Sequence, residues 1–400
     1  AQETVTVEPG ITWEQLDRRL KPEGLTLRLY PTSYPSSSAG GWLAQGGAGI
    51  GSYEFGWFRE NVVQARVALP SGEIMEFAGD DLDVIADAEG TTGIITQVTL
   101  RVQKLTKLGV TAIACPDAPK LARVFEEFVR RDLPLWSVVF INPRMAEMKN
   151  RAPVRTQHGH PAEAKVILPA AYIALLAYRE SDRQTIVPAL PEILTNCQGE
   201  ILSQEIADHE WENRFKLMIV KRLGPSLVPA EIVVPLEALG EVMGEIEDKV
   251  NQPLVKEGVI IKKGKEDKPE VVILGFIPSD QRKFSYNFVY GLVLTIMKIA
   301  KKHGGRPYST GLYFSSKIKK ILGKERAKRV KEFKKQVDRN RVLNPDKVFG
   351  GKLVGKMLTI AGFFEPLIRP FGNNVGTQIG ERLDEPVRDI PGDVAWYAYG

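Results

Sequence analysis

PTSYPSSSAGGWLAQGGAGIGSYEFG, residues 31–56, is the stretch on which the reading of this chain turns. It holds seven glycines and six Ser/Thr residues and shows neither a helical period nor strand alternation. A structureless run of this length inside a compact domain reads as a functional loop. Glycine lets backbone approach a ligand closely. Consecutive free N–H groups beside Ser and Thr hydroxyls would form an anion cradle. Gly40, Gly41, Gly46, Gly47, Gly49 and Gly51 match neither GxGxxG after a strand nor GxxxxGK[ST]. That excludes a Rossmann fingerprint and a P-loop. A plain Gly-rich surface loop is the competing reading.

The flanks read as α+β. Thr4–Glu8 alternates as a strand, and Thr12 with Gln15 forms a capping box opening a helix over Trp13–Leu20. After the segment, Asn61–Leu69 and Glu73–Phe77 form a hairpin about Pro70-Ser71-Gly72. A short helix near Asp81–Ala86 and Glu89-Gly90-Thr91-Thr92-Gly93 lead to a strand at Ile94–Val102.

Four ordered blocks, VTVEPGITWEQL, PTSYPSSSAGG…GGAGIGSYEFG, VALPSGEI and AEGTTGIITQVTLRV, resemble the FAD-binding domain of the vanillyl-alcohol oxidase / p-cresol methylhydroxylase superfamily. Within it the chain resembles glycolate oxidase FAD subunits and D-lactate dehydrogenases of the cytochrome type. Trp211…Arg214, EIVVPLEAL (231–239) and LNPDKVF (343–349) extend the likeness, the last with Asp346 where the family has Gly. The resemblance implies a PCMH-type FAD-binding domain joined to a ferredoxin-like cap. It implies that Pro31, Thr32 and Ser33 lie along the flavin, and that Ser38, Gly40 and Gly41 turn against the pyrophosphate and ribityl chain. It places Gly49, Ser52, Tyr53 and Gly56 toward the adenosine side, Gly93, Ile94 and Ile95 at a cofactor-contacting strand, and Asn344 in the closing motif. FAD is expected non-covalently, since these blocks hold no His or Cys. The chain starts at what resembles the second subdomain of that FAD domain, so the first is expected to be absent.

The domain expectation is 1–106 for the FAD-binding part, 107–305 for the cap, 306–350 for a return segment and 351–400 for an extension toward a redox partner or iron–sulfur domain. The cap reads as strand Gly109–Cys115, helix Leu121–Arg131, strand Leu135–Asn142, a polar loop Pro143–Pro161, strand Ala171–Tyr178, helix Thr185–Asn196 and strand Glu200–Ser203. This βαββαβ order suits a ferredoxin-like half. A second half follows: strand Glu231–Pro235, helix Leu236–Val250, strands Val259–Lys262 and Glu270–Phe276, and a helix Asp280–His303 stopped by Gly304-Gly305.

Relatives carry a Gly-Glu-His-Gly motif where this chain has Gly311-Leu312-Tyr313, and a His-x-x-x-Gly-Asn-x-His metal stretch where Val271–Phe288 has no His. A catalytic metal is therefore not expected. The candidates that remain are Arg306 or Arg214 as a bidentate carboxylate clamp, and Tyr308 or Tyr313 polarising the hydroxyl being oxidised. Packing tyrosines and a surface arginine are the plainer alternative. His158 and His160 read as solvated, and His209 as structural. A single helix over Ile318–Val337 carries ten Lys/Arg from Lys317 to Lys335; this face is solvated or docks an acidic partner or an anionic membrane surface.

Composition sets the outer bounds. At 400 residues, 43% hydrophobic and 26% charged, the chain is neither disordered, fibrous nor coiled coil. The net charge, 54 − 49 = +5, does not call for nucleic acid. Two cysteines cannot hold an iron–sulfur cluster or a disulfide framework, and a cytoplasmic setting, with a place on the cytoplasmic membrane face as its variant, is the expectation. No leader and no membrane span is expected. The reading is an FAD-dependent dehydrogenase oxidising a small hydroxy acid or alcohol and passing electrons to an iron–sulfur partner. The alternatives are a flavin-less assembly subunit and an aryl-alcohol or ether-lipid type flavoenzyme.

Overall fold

The computed structural model describes residues 3–152, 166–218, 220, 226–251, 253–279, 286–349 and 352–381. The chain divides into two compact units, Ala1–Thr106 with Arg306–Ala361, and Lys107–Gly305 with Gly362–Gly400.

The first unit begins with β1 (Thr4–Val7) and α1 (Trp13–Leu20), then β2 (Leu25–Leu27) and β3 (Tyr30–Pro31). The capping box at Thr12 and Gln15 is present as the sequence suggests. The Gly-rich segment departs from its reading as a structureless loop. It contains α2 (Ala39–Gln45), β4 (Gly49–Ile50) and α3 (Ser52–Phe55). Gly40 and Gly41 oppose helix on propensity, but the Ser38 hydroxyl caps α2 by accepting the Gly41 N–H (3.3 Å). Burial of Trp42 and Leu43 then outweighs the propensity. The Trp42 ring stacks on Phe58 at 4.1 Å, and Trp13 meets both edge-on; such pairs add about 0.5–1.5 kcal/mol beyond their area. Beyond α3 come β5 (Val62–Ala68), β6 (Ile74–Ala78) and the long β7 (Ile94–Lys104). The antiparallel sheet runs β1-β7-β5-β6, with β2 also on β7.

The second unit opens with β8 (Leu108–Cys115), α4 (Ala118–Arg130) and β9 (Leu135–Ile141). The stretch read as a polar loop begins instead with a helix, α5 (Pro143–Arg151), and its remainder from 153 lies outside the described residues. The Asn142 side chain accepts the Met145 N–H and Pro143 sits in the first turn, which starts a helix; Met145, Ala146 and Met148 then bury. There follow β10 (Tyr172–Arg179), α6 (Arg183–Ile186), α7 (Leu190–Asn196), β11 (Glu200–Ile201) and α8 (Gln204–Glu212). Pro188 and Pro191 fall where the expected single helix over 185–196 is split by a 3₁₀ turn. The second half is β12 (Ser226–Pro235), α9 (Leu239–Lys249), β13 (Leu254–Ile261), β14 (Glu270–Ser279) and α10 (Tyr286–Lys302). The antiparallel order β11-β8-β10-β9-β13-β14-β12 sets two ferredoxin-like halves edge to edge. The seam is β9 on β13, with Phe140 opposite Gly258 and Val139 opposite Val259. A Cβ on Gly258 would lie 2.0 Å from the Phe140 ring, so the seam needs glycine there.

The return segment carries β15 (Arg306–Pro307), α11 (Ile318–Ile321) and α12 (Lys324–Val337). The expected single basic helix is broken at Gly323, whose φ of 86° is left-handed. Its charge is only partly solvated. Arg326 donates to the carbonyls of Asp83 and Ala86 and pairs with Asp87 at 2.7 Å, so one acidic partner of this helix is the chain's own 79–87 segment. Downstream, buried Asp338 pairs with Lys334 and accepts the N–H groups of Val342 and Leu343. Burial alone would raise its carboxyl, but these donors hold it below the usual range. A depressed carboxyl stabilises the fold above the unfolded pKa and loses that contribution as pH falls through the folded one. Asp338→Asn is therefore expected to melt below the parent at pH 7. The gap should narrow below about pH 4, read by thermal melts across pH; a gap independent of pH would refute it. Residues 352–381 form α13 (Lys352–Glu381). In the second unit its Glu365 accepts from Thr295 and pairs with Lys298 at 2.8 Å. No helix among the described residues is long and apolar enough to cross a membrane.

Candidate functional site

In the first unit the segment 30–56 closes on itself. β3 pairs with β4, Tyr30 opposite Ile50 and Pro31 opposite Gly49. The Gly49 N–H donates to the buried Ser52 hydroxyl at 3.0 Å. Gly40 donates to the Pro9 carbonyl, Gly46 to Trp42 and Gly56 to Ser52. The expectation of consecutive free N–H donors is thus corrected: Gly40, Gly41, Gly46, Gly49 and Gly56 all spend theirs internally, because the segment folds into helices and a strand pair. Their missing side chains are spent on packing as well. A Cβ on Gly40 would sit 2.4 Å from Pro9, on Gly49 2.1 Å from the Tyr30 carbonyl, and on Gly93 2.2 Å from Val67.

What faces outward from 31–38 is a row of hydroxyls. Thr32, Ser36, Ser37 and Ser38 are half-buried and Ser33 is exposed, with Ser33 donating to Ser37 at 2.8 Å. No carboxylate lies among them. Hydroxyl donors without a competing carboxylate fit the phosphates and polyol chain of a dinucleotide. Tyr53 is buried, Ile95 is half-buried against the core, and Ile94 is 61% exposed at the start of β7. Asn344 donates to the Glu89 carbonyl at 2.6 Å.

The return segment brings its candidates to the same clasp. The Tyr308 hydroxyl accepts the Ala48 N–H at 3.0 Å. A Cβ on Gly47, where φ is +143°, would lie 2.4 Å from that hydroxyl. Arg306 lies over the Trp57 ring at 5.5 Å, and Trp57 faces Tyr308 at 6.2 Å. Thr310 donates to the Asp87 carbonyl and Glu89. Tyr313 lies in a 3₁₀ turn over Leu312–Lys317, and its side chain falls outside the described residues, as do His158 and His160. Trp57 and Thr310 carry no local signal in the sequence; nothing nearby distinguishes a ring that ends up beneath Arg306, far along the chain.

The second unit has a small cavity lined by Val139, Lys149, Glu210, Arg214, Lys256 and Glu257 among others. Arg214 lies just past α8, its guanidinium over the rings of Trp211 (4.2 Å) and Phe215 (4.7 Å) and one nitrogen donating to the Trp211 carbonyl. Lys149 of α5 pairs with Glu210 of α8, both side chains under 10% exposed. Burial pushes the Glu210 carboxyl up, yet Lys149 and His209 outweigh it and hold it low. His209 is thereby explained as a neighbour of this pair. Lys256 sits over Phe276 at 5.1 Å. Of these residues Arg214 is a candidate from the sequence, whereas Lys149, Lys256 and Glu257 join the site only in the structure. A signal existed: LVKEGVII carries two adjacent charges inside an apolar strand.

Comparison with known proteins agrees with this architecture. Residues 1–78 match the FAD binding domain family. The chain is 25% identical over 358 residues to the mitochondrial D-lactate dehydrogenase [cytochrome] of Arabidopsis thaliana, an alignment covering 86% of this chain and 62% of that protein. It is 23% identical to the glycolate oxidase subunit GlcD of Bacillus subtilis, over 61% of this chain and 54% of that protein. Among solved structures, alkyldihydroxyacetonephosphate synthase superposes with a TM-score of 0.66 at 15% identity, covering 86% of this chain and 64% of that one. The fold is that of the PCMH-type FAD-linked oxidases, with the FAD-binding architecture followed by an α+β cap of ferredoxin-like halves. More narrowly, the chain is a relative of D-lactate dehydrogenases and glycolate oxidase subunits, FAD-linked oxidoreductases, and spans about 62% of the length of the first of them.

Proposed function

We propose that this chain is the flavin-carrying part of a dehydrogenase that oxidises a small 2-hydroxy acid of the D-lactate or glycolate kind. The observation that carries the reading is the cationic cavity of the second unit, where Arg214, Lys149 and Lys256 converge with a single paired carboxylate, Glu210, and the buried Glu257. A site so built favours a small anion. The names of the relatives agree in substrate class. Arg214, already oriented by Trp211 and Phe215, supplies a fixed fork for a substrate carboxylate. The hydroxyls of Thr32, Ser33 and Ser38 would hold the phosphates and ribityl chain of FAD, and Arg306 with Tyr308 would border its ring. FAD when bound supplies a two-electron acceptor. Electrons then pass to a separate carrier, an iron–sulfur protein, and the first unit serves as FAD domain with the second as cap. The flavin-less reading is favoured by one observation, the internal use of the glycine N–H donors.

An absorption spectrum of the purified chain, titrated with FAD, separates the two. Protein-bound flavin bands that bleach on adding D-lactate or glycolate are expected. Arg214→Leu should keep the bands and raise the substrate concentration needed for bleaching by roughly 10–100-fold. No bound flavin at any FAD concentration would overturn the reading in favour of an assembly subunit.

A further inference from the structure

Glu257 is the one group in the cavity that the reading above leaves without a task. It is 3% exposed, and among the described residues its Oε2 has no hydrogen-bond partner. An orphaned buried carboxylate oxygen costs stability and calls for an explanation. A β-bulge puts it there. The pairing of β13 with β14 slips between Val255 and Glu257. Neighbours on a regular strand point to opposite faces, yet here Lys256 and Glu257 are both buried and both line the cavity. Bulges of this kind re-aim side chains beside functional sites.

Among the described residues, the charges around it come from several elements. Lys256 comes from its own strand, Lys149 from α5, and Glu210 and Arg214 from α8 and the turn after it. Glu210 is engaged by Lys149 and His209. Glu231 of β12 shares the field of Lys256. Burial pushes the Glu257 carboxyl up to about 7, with Lys256 pulling the other way. A carboxyl poised near neutrality can accept a proton that an ordinary carboxylate would leave in place.

Building on the reading of Arg214 as the carboxylate clamp, we propose that Glu257 accepts the hydroxyl of a small 2-hydroxy acid held in this cavity, and so is the group that tells a hydroxy acid from its deoxy counterpart. The acceptor is the orphaned oxygen, and the hydroxyl supplies the donor it lacks. Protonation of Glu257 removes the charge that makes the bond strong, so discrimination rises with pH.

The test uses the chain without added flavin, so that nothing is turned over. Glycolate and acetate, which differ only in the hydroxyl, are titrated calorimetrically between pH ~5.5 and ~8.5, a window spanning the Glu257 titration. The parent should bind glycolate about tenfold more tightly than acetate at the alkaline end, the worth of one hydrogen bond to a charged group. The preference should fade toward the acid end. Glu257→Gln should bind acetate as the parent does and show a preference that does not change with pH. Arg214→Leu should weaken the binding of both acids by roughly 10–100-fold. Equal binding of the two acids by the parent, or a pH-dependent preference surviving in Glu257→Gln, overturns the role of Glu257 and leaves the clamp standing. Binding of neither acid by the parent overturns the clamp and the proposal with it.

Discussion

Gly49→Ala is expected to destabilise the first unit by about 3 kcal/mol, the upper range for overpacking in a rigid site. The added Cβ would lie 2.1 Å from the Tyr30 carbonyl oxygen, 3.0 Å from its carbon and 3.2 Å from the Pro31 Cα. All three are backbone atoms of the opposite strand, so no side-chain rotation relieves the clash. Either the β3–β4 pair opens or the Gly49–Ser52 bond breaks. For a unit of this size the melting temperature should fall by roughly 6–12 °C, read by calorimetry. Gly244→Ala is the control: it lies inside α9 with nothing within 4 Å of the added carbon, and should be neutral or stabilising by up to about 1 kcal/mol. Equal effects at the two positions would refute the account of the clasp.

Glu210→Ala is expected to cost more. Lys149 and Glu210 have side chains 9% and 5% exposed and are bonded to each other. Removing one partner strands a buried ammonium, a loss of roughly 3–5 kcal/mol. Replacing both, Lys149→Met with Glu210→Leu, should recover most of it, because the desolvation penalty leaves with the charges. The pH dependence has a definite sign. The Glu210 carboxyl is held low by Lys149 and His209 against its burial, so the parent loses stability as pH falls through that lowered value, and the double variant lacks this slope. Denaturant melts of the four proteins at neutral and acid pH measure both effects. Additive single losses in the double variant would show that the two groups do not act as a pair.

How much of this was legible differs by element. The capping box at Thr12, the hairpin about Gly72 and the alternating strands were readable, since each is a local signal carried by residues within one turn or one period. The strands of the βαββαβ half and of the half that follows it were readable for the same reason, as a succession of periodicities. The helix α5 was also written locally, in Asn142-Pro143, but its polar composition concealed the buried stripe of Met145 and Met148. The Gly-rich segment was misjudged because its helix is held by Trp42 stacking on Phe58, a contact that propensity does not see.

The site divides along the same line. The sequence by itself determined the class of fold, the outward row of hydroxyls at 32–38 and the candidacy of Arg214, Arg306 and Tyr308. Only the tertiary structure decided that the N–H groups of Gly40, Gly41, Gly46, Gly49 and Gly56 are already taken, that Tyr308 holds the Ala48 N–H, and that Lys149, Glu210, Lys256 and Glu257 share one cavity. The reason is physical. Periodicity and capping are set by neighbours along the chain, whereas burial, charge pairing and the state of a carboxyl are set by neighbours in space. A single-residue slip in β13 is enough to turn Glu257 inward; the adjacent charges Lys256 and Glu257 mark the strand as unusual, but the slip itself is set by the pairing with β14.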